Sequence, residues 1–184
     1  MQIIQTKLAG VLIVEPKVFG DARGFFWETW SAKRYAEAGI RVPFVQDNVS
    51  YSRHGVLRGM HFQNPSPQAK LVTVLRGTIF DVVADIRLGS PTFGQWMGVE
   101  LKGETGRQLF IPVGLAHGFC VTGDEALFSY KCSDYYAPAQ EQGIAWNDPD
   151  IGIVWPVKNP ILSDKDCRYV FLRDFPKEQL PVYG

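Results

Sequence analysis

The sequence predicts an all-β fold, a sandwich or barrel of many short strands with few short helices. Val/Ile-rich and aromatic runs recur along the chain, separated by Gly, Pro, Asn or Asp. No helical segments alternate with these runs, which argues against a parallel βαβ sheet. Aromatic residues make up 13% of the chain, a share that suits a sheet-rich core or a pocket for flat ligands.

Taken in order, residues 10–15 form a Val/Ile-rich run and residues 24–30 an aromatic one. Ser31 is placed to cap a short helix through Ala38, with Gly39 as its stop. Strands are expected at 41–49, 55–63 and 69–75. Arg76-Gly77 reads as a turn into a strand over 78–86. There Ile79, Asp81, Val83 and Asp85 share one face, and the more apolar Phe80, Val82, Ala84 and Ile86 share the other. Further strands are expected at 95–101, 108–111, 116–122 and 126–132, with Gly123-Asp124 turning between the last two. From Ile151 the chain is proline-rich and too irregular for a second domain, so residues 1–184 are read as one domain whose tail packs across the barrel. Charged side chains between Leu162 and Cys167 are within reach of a site mouth.

Composition narrows the functional classes. A chain of 184 residues can bury one sizeable core. Its formal charge is zero, which offers neither a polybasic nucleic-acid surface nor an acidic tail. No apolar run approaches the roughly 20 residues of a membrane span. The first residues lack the pattern of a secretory signal, so a cytoplasmic location is expected. Cys120, Cys132 and Cys167 are odd in number and widely spaced, which reads as free buried thiols. There is no Gly-x-Gly-x-x-Gly, no phosphate loop, no His-x-His and no His-Glu-x-x-His. Neither a dinucleotide nor a metal cofactor is expected, and any chemistry should run on side chains.

The densest group of such side chains lies in Arg58-Gly59-Met60-His61-Phe62-Gln63 and the nearby Gln68-Ala69-Lys70. Two cations and a histidine there suit an anion clamp beside a proton-transfer base. A strict pleat puts Arg58 and His61 on opposite faces; a bulge at Gly59 would reunite them. The competing reading makes His61 a core histidine bonded to a backbone carbonyl. Two cations nearby count against it, because burying them is costly unless an anion binds. His117, in Gly114-Leu115-Ala116-His117-Gly118-Phe119, is balanced between a core and a site role, and His54 reads as a loop residue. Tyr130 is either a packed core tyrosine or a general acid, and Asp166 either a solvated turn carboxylate or the partner that orients His61. Arg23, among Phe25 and Phe26, is either a surface turn residue or a phosphate ligand beside a stacking ring. Alone, these residues describe a cleft for an anionic, nucleotide-like ligand.

Several separated motifs carry a resemblance across most of the chain. They include Asp21-Ala22-Arg23-Gly24-Phe25-Phe26-Trp27-Glu28, Gln46-Asp47-Asn48, the run from Gly55 to Gln63, and Gln68-Ala69-Lys70. Further on come Phe80 to Arg87, Gly89 to Gly94, Gly114 to Phe119, Tyr130-Lys131-Cys132 and Leu162 to Asp166. In this ordered set the chain resembles the dTDP-4-dehydrorhamnose 3,5-epimerases of the cupin-like class. The resemblance implies a jelly-roll (double-stranded β-helix) barrel and a cofactor-free enzyme that inverts C3 and C5 of a dTDP-4-keto sugar. It makes His61 the base, Asp166 its partner, Tyr130 the acid and Lys70 the stabiliser of the enolate. It assigns Arg58, Lys70 and His117 to the sugar and diphosphate, and Gln46, Asn48, Tyr136, Glu141 and Lys165 to further ligand contacts. Arg23, Phe26 and Glu28 would reach the nucleotide in a partner subunit's site, which implies a homodimer. Met60 departs from the leucine common in the family, a mild apolar exchange.

Overall fold

A computed structural model describes residues 1–184. The strands are β1 (Gln2–Gln5), β2 (Leu12–Glu15), β3 (Phe19–Asp21), β4 (Gly24–Phe26), β5 (Gln46–Arg53) and β6 (Leu57–Gln63). They continue with β7 (Lys70–Asp85), β8 (Trp96–Lys102), β9 (Gln108–Ile111), β10 (Leu115–Cys132) and β11 (Glu141–Gly143). The one α-helix, α1 (Ala32–Glu37), has the predicted cap at Ser31, and Gly39 leaves it at φ +96°, where glycine is strongly favoured. The all-β expectation holds.

Nine strands form one antiparallel sheet in the order β1-β2-β9-β7-β10-β6-β11, with β5 also on β10 and β8 also on β7. β3 and β4 pair only with each other. The jelly roll follows from how the two longest strands are shared. β7 gives Lys70–Thr73 to β9 and Thr78–Ala84 to β8. β10 gives its first half to β6 and its second to β5, while running beside β7 along its length.

These two strands correct the sequence reading, which divides each into a pair joined by a turn. Both pass through without reversing. At Gly77 the backbone has φ +86°, and a Cβ there would lie 1.8 Å from the Glu125 carbonyl oxygen. The strands therefore bend together in close contact, and the register shift between Val121 and Ala126 absorbs Gly123-Asp124 as an irregularity. The strand expected at 41–49 is instead β5, displaced toward the C-terminus. Pro43 removes a ladder donor at its early end, and pairing with β10 extends it to Arg53. The aromatic run 24–30 is a strand only through Phe26, where its partner β3 ends.

From Asp81 to Asp85 both faces of β7 are buried, where the sequence distinguished only a more apolar face from one carrying Asp81 and Asp85. Ile79 and Val83 join Val72, Val74, Leu101, Leu109 and Phe128 in the main interior cluster. Val82, Ala84 and Ile86 pack on the other side with Met60, Ile144, Ile151 and Leu172. The latter three residues belong to the segment that follows β11, so the C-terminal tail does cross the barrel. Parallel bridges at Val56–Ile161 and Leu88–Val182 attach it. Asp148, buried, accepts backbone N–H bonds from Asp150, Ile151 and Leu172. All three cysteines are free. Cys120 and Cys132 are buried as expected, but Cys167 lies exposed on this tail, which corrects its reading as a buried thiol.

Candidate active site

The site begins with a defect in β6. β10 pairs His117 with His61, but two residues further on in β10, Phe119 pairs with Arg58 three residues back in β6. Gly59 and Met60 together therefore oppose Gly118, which is the bulge anticipated at Gly59. It turns Arg58 and His61 onto the wall of one cavity. The crossing admits no side chain at either glycine. A Cβ on Gly59 would sit 2.6 Å from the Gly118 Cα, and one on Gly118 would sit 2.7 Å from the Met60 sulfur.

That cavity holds about 390 Å³, enough for a small ligand. β5 faces it with Gln46, Asn48 and Ser50, and β10 with His117, Phe119, Phe128, Tyr130 and Cys132. Cys132 pairs with Lys70 and Gln46, and Tyr130 pairs with Asn48, so these side chains form adjacent rows on one concave face. Tyr136, Glu141 and Lys165 complete the lining. Glu141 accepts from the Tyr136 hydroxyl at 2.7 Å and from Lys165 Nζ at 2.9 Å.

His61 Nε2 lies 2.6 Å from Asp166 Oδ1, and the carboxylate is 3% exposed. This contact overturns the core-histidine reading, since the partner is a carboxylate from the tail and no carbonyl. Burial opposes ionisation of Asp166, but the hydrogen bond and charge of His61, with help from Ser163 and Lys165, hold its pKa below the usual value. A second pair lies behind it. His117 Nε2 is 3.0 Å from both oxygens of Asp81, which has no exposed surface. There burial wins and pushes the Asp81 carboxyl up, against His117 and Lys70.

Burial also lowers the Lys70 ammonium pKa, partly offset by Cys132, Glu141 and Asp81. Neither Lys70 nor Arg58 belongs to any salt bridge of the chain. Arg58 is held by neutral acceptors instead: Nε donates to Ser52 Oγ at 3.0 Å. Two cations facing a cavity without carboxylate partners suit an anionic ligand. Burial raises the Tyr130 phenol, so that hydroxyl keeps its proton at neutral pH and can donate it.

Ten of the residues singled out in the sequence line this cavity: Gln46, Asn48, Arg58, His61, Lys70, His117, Tyr130, Tyr136, Glu141 and Lys165. Asp166 stands behind His61. Arg23, Phe26 and Glu28 do not join them within one chain. Arg23 is exposed and pairs with Asp21 at 2.6 Å, Glu28 pairs with Arg34, and Phe26 is 69% exposed on the β3–β4 hairpin. His54 is the loop residue it was read to be. Sequence reasoning missed Asp81 and Ser52. For Asp81 the signal was present: an acid alternating with Ile79 and Val83 on a buried face needs a partner. No group of three or more His, Cys, Asp or Glu side chains is arranged to hold a metal ion. No helix is long and apolar enough to cross a membrane.

Comparison with known proteins shows the family. Residues 5–174 match the family model described as dTDP-4-dehydrorhamnose 3,5-epimerase. The chain belongs to the dTDP-4-dehydrorhamnose 3,5-epimerase family. It is 57% identical over 168 residues to the enzyme of that name from Shigella flexneri, covering 90% of this chain and 93% of the relative. Over 178 residues it is 50% identical to the one from Methanothermobacter thermautotrophicus, covering 95% and 96%. Its fold is also similar to the crystal structure of a dTDP-6-deoxy-D-glucose-3,5-epimerase from Legionella pneumophila in complex with dTDP-4-keto-L-rhamnose. There the TM-score is 0.97 at 52% identity, covering 100% of this chain and 98% of that one. Membership fixes the reaction class as isomerisation and the architecture as the cupin-like jelly roll of these epimerases.

Proposed function

We propose that the chain inverts C3 and C5 of dTDP-4-dehydro-6-deoxy-D-glucose to give dTDP-4-dehydro-L-rhamnose. The observation that carries this reading is a carboxylate-bound histidine and a protonated phenol facing one cavity with two unpaired cations. A ketone at C4 acidifies the hydrogens at C3 and C5 alike, because loss of either leaves an enolate on the same oxygen. With Nε2 bonded to Asp166, His61 has Nδ1 left to take the proton. The C–H electron pair moves into the enolate, and Lys70 stabilises the charge on oxygen. Tyr130 delivers a proton to the opposite face of the carbon, which inverts it; Tyr130 then recovers a proton from solvent and His61 releases to solvent the one it took. The same sequence serves the second carbon. No electrons are exchanged overall, so the balance calls for proton transfer alone.

Arg58 and His117 are read as contacts to the sugar and diphosphate, with Gln46, Asn48, Tyr136, Glu141 and Lys165 around the remaining ligand. Arg23, Phe26 and Glu28 lie outside this cavity, on or just after a hairpin whose aromatic rings are exposed. A homodimer in which this hairpin completes the neighbouring subunit's nucleotide site accounts for that exposure.

The test is incubation with the 4-keto nucleotide sugar in deuterated water, with the product read by NMR. Deuterium at both C3 and C5 is expected. Label at one carbon alone would assign a single-carbon epimerase, and no exchange would remove the catalytic reading. His61→Ala should slow exchange about 10²- to 10⁴-fold, the contribution of a general base. Tyr130→Phe should still exchange but invert poorly. Near-normal turnover by His61→Ala would mean that the base is another residue.

A further inference from the structure

Gly143 on β11 stands directly across from His61 on β6. Its missing side chain leaves a gap beside the imidazole, which a residue of the tail fills. A Cβ on Gly143 would come within 2.5 Å of two ring carbons of Tyr169. From this seat the Tyr169 ring meets His61 edge-on, with centroids 5.8 Å apart and planes at 68°. Its backbone is held close by on both sides. Asp166 lies three residues earlier on a 3₁₀ turn that ends at Tyr169, and the next residue, Val170, accepts a hydrogen bond from Ala145 N at 2.8 Å. Burial, with the Glu141 and Asp166 carboxylates nearby, pushes the Tyr169 phenol pKa up, so the ring packs as a neutral group.

A base that must meet a C–H bond needs its ring plane fixed as well as its position. The Asp166 bond fixes one atom of the imidazole, and the χ2 torsion of histidine is broad. A second, non-bonded wall is needed to define the plane. We propose that Tyr169 is a positioning residue: its ring, seated in the gap left by Gly143, fixes the plane of the His61 imidazole against Asp166. The inference rests on His61 being the base. Tyr169 is not among the residues that line the cavity, so its effect belongs in the rate of the chemical step and not in ligand binding.

Three variants of the full chain test this. Tyr169→Ala should lower kcat about 10- to 100-fold, the scale of a misplaced catalytic group, with KM little changed. Tyr169→Phe restores the ring and should restore kcat, whereas Tyr169→Leu restores volume without an aromatic edge and should not. Thermal melting identifies which variants are folded. An independent signature is the NMR shift of the His61 Cε1 proton, which lies in the field of the Tyr169 ring. It should move in the Ala and Leu variants and stay in Phe. A folded Ala variant with normal kcat would overturn the proposal, as would a raised KM at normal kcat or a Phe variant as impaired as Ala. An active His61→Ala protein would instead remove the assignment of the base. The His61 proton shift separates that failure from one confined to Tyr169.

Discussion

The two ends of strand β7 hold charge in opposite ways. At its C-terminal end Asp85, wholly buried, accepts bonds from the backbone N, Nε and a terminal nitrogen of Arg87 and from the hydroxyls of Ser90 and Thr92. Arg87 in turn stacks on the Tyr183 ring, 4.8 Å from its centroid, so the corner is closed on itself. At the N-terminal end Lys70 faces the cavity with no carboxylate to pair with, and burial lowers its pKa. Asp85 is driven the other way from an ordinary buried acid: burial opposes ionisation, but its donors bring the pKa down to about 2. A completed network spends its charge on the fold, whereas an incomplete one leaves charge for a ligand.

This contrast breaks most visibly at Asp85. Asp85→Ala leaves buried Arg87 unpaired and should destabilise the chain by about 3–5 kcal/mol in denaturant unfolding. Activity per folded molecule should be unaffected, and a large loss of turnover would show that the corner is not purely structural. The same carboxylate carries a pH signature. Its folded pKa lies below the unfolded value, so its contribution is complete above about pH 4 and fades as pH falls toward 2. Acid unfolding of Asp85→Asn, followed by circular dichroism, should lack that part of the slope.

Lys70→Met should do the reverse. It removes an unpaired, partly buried cation, so the melting temperature should hold or rise, while kcat/KM falls about 10²- to 10³-fold as the enolate loses its neighbour. A destabilised Lys70→Met would place the lysine with the closed corner instead. The finest test is Ser52→Ala, which deletes the Arg58 Nε acceptor. Loss of one hydrogen bond to a charged group, about 1.5–3 kcal/mol at most, should appear mainly as a raised KM with the melting temperature nearly unchanged.

Much of this was legible in the sequence because it rests on local pattern. The alternation over residues 78–86 sorted this part of β7 into its two faces, and a glycine inside a strand foretold the bulge that puts Arg58 beside His61. The long strands were misread for a local reason too. Gly77 and Gly123-Asp124 have the composition of turns, and only the close passage of β7 by β10 makes them a bend. What could not be read locally was partnership at a distance. Asp81 meets His117 across 36 residues, and His61 meets Asp166 across 105. Tyr169, in an irregular tail, has no periodicity to mark it, and Gly143 declares its purpose only once β11 is seen against β6.

The tail that brings Asp166 to His61 lies beyond every strand of the sheet. The base gains its carboxylate only when this segment has docked. Recovery of activity during refolding therefore reports docking of the tail, where backbone spectroscopy reports mainly the sheet.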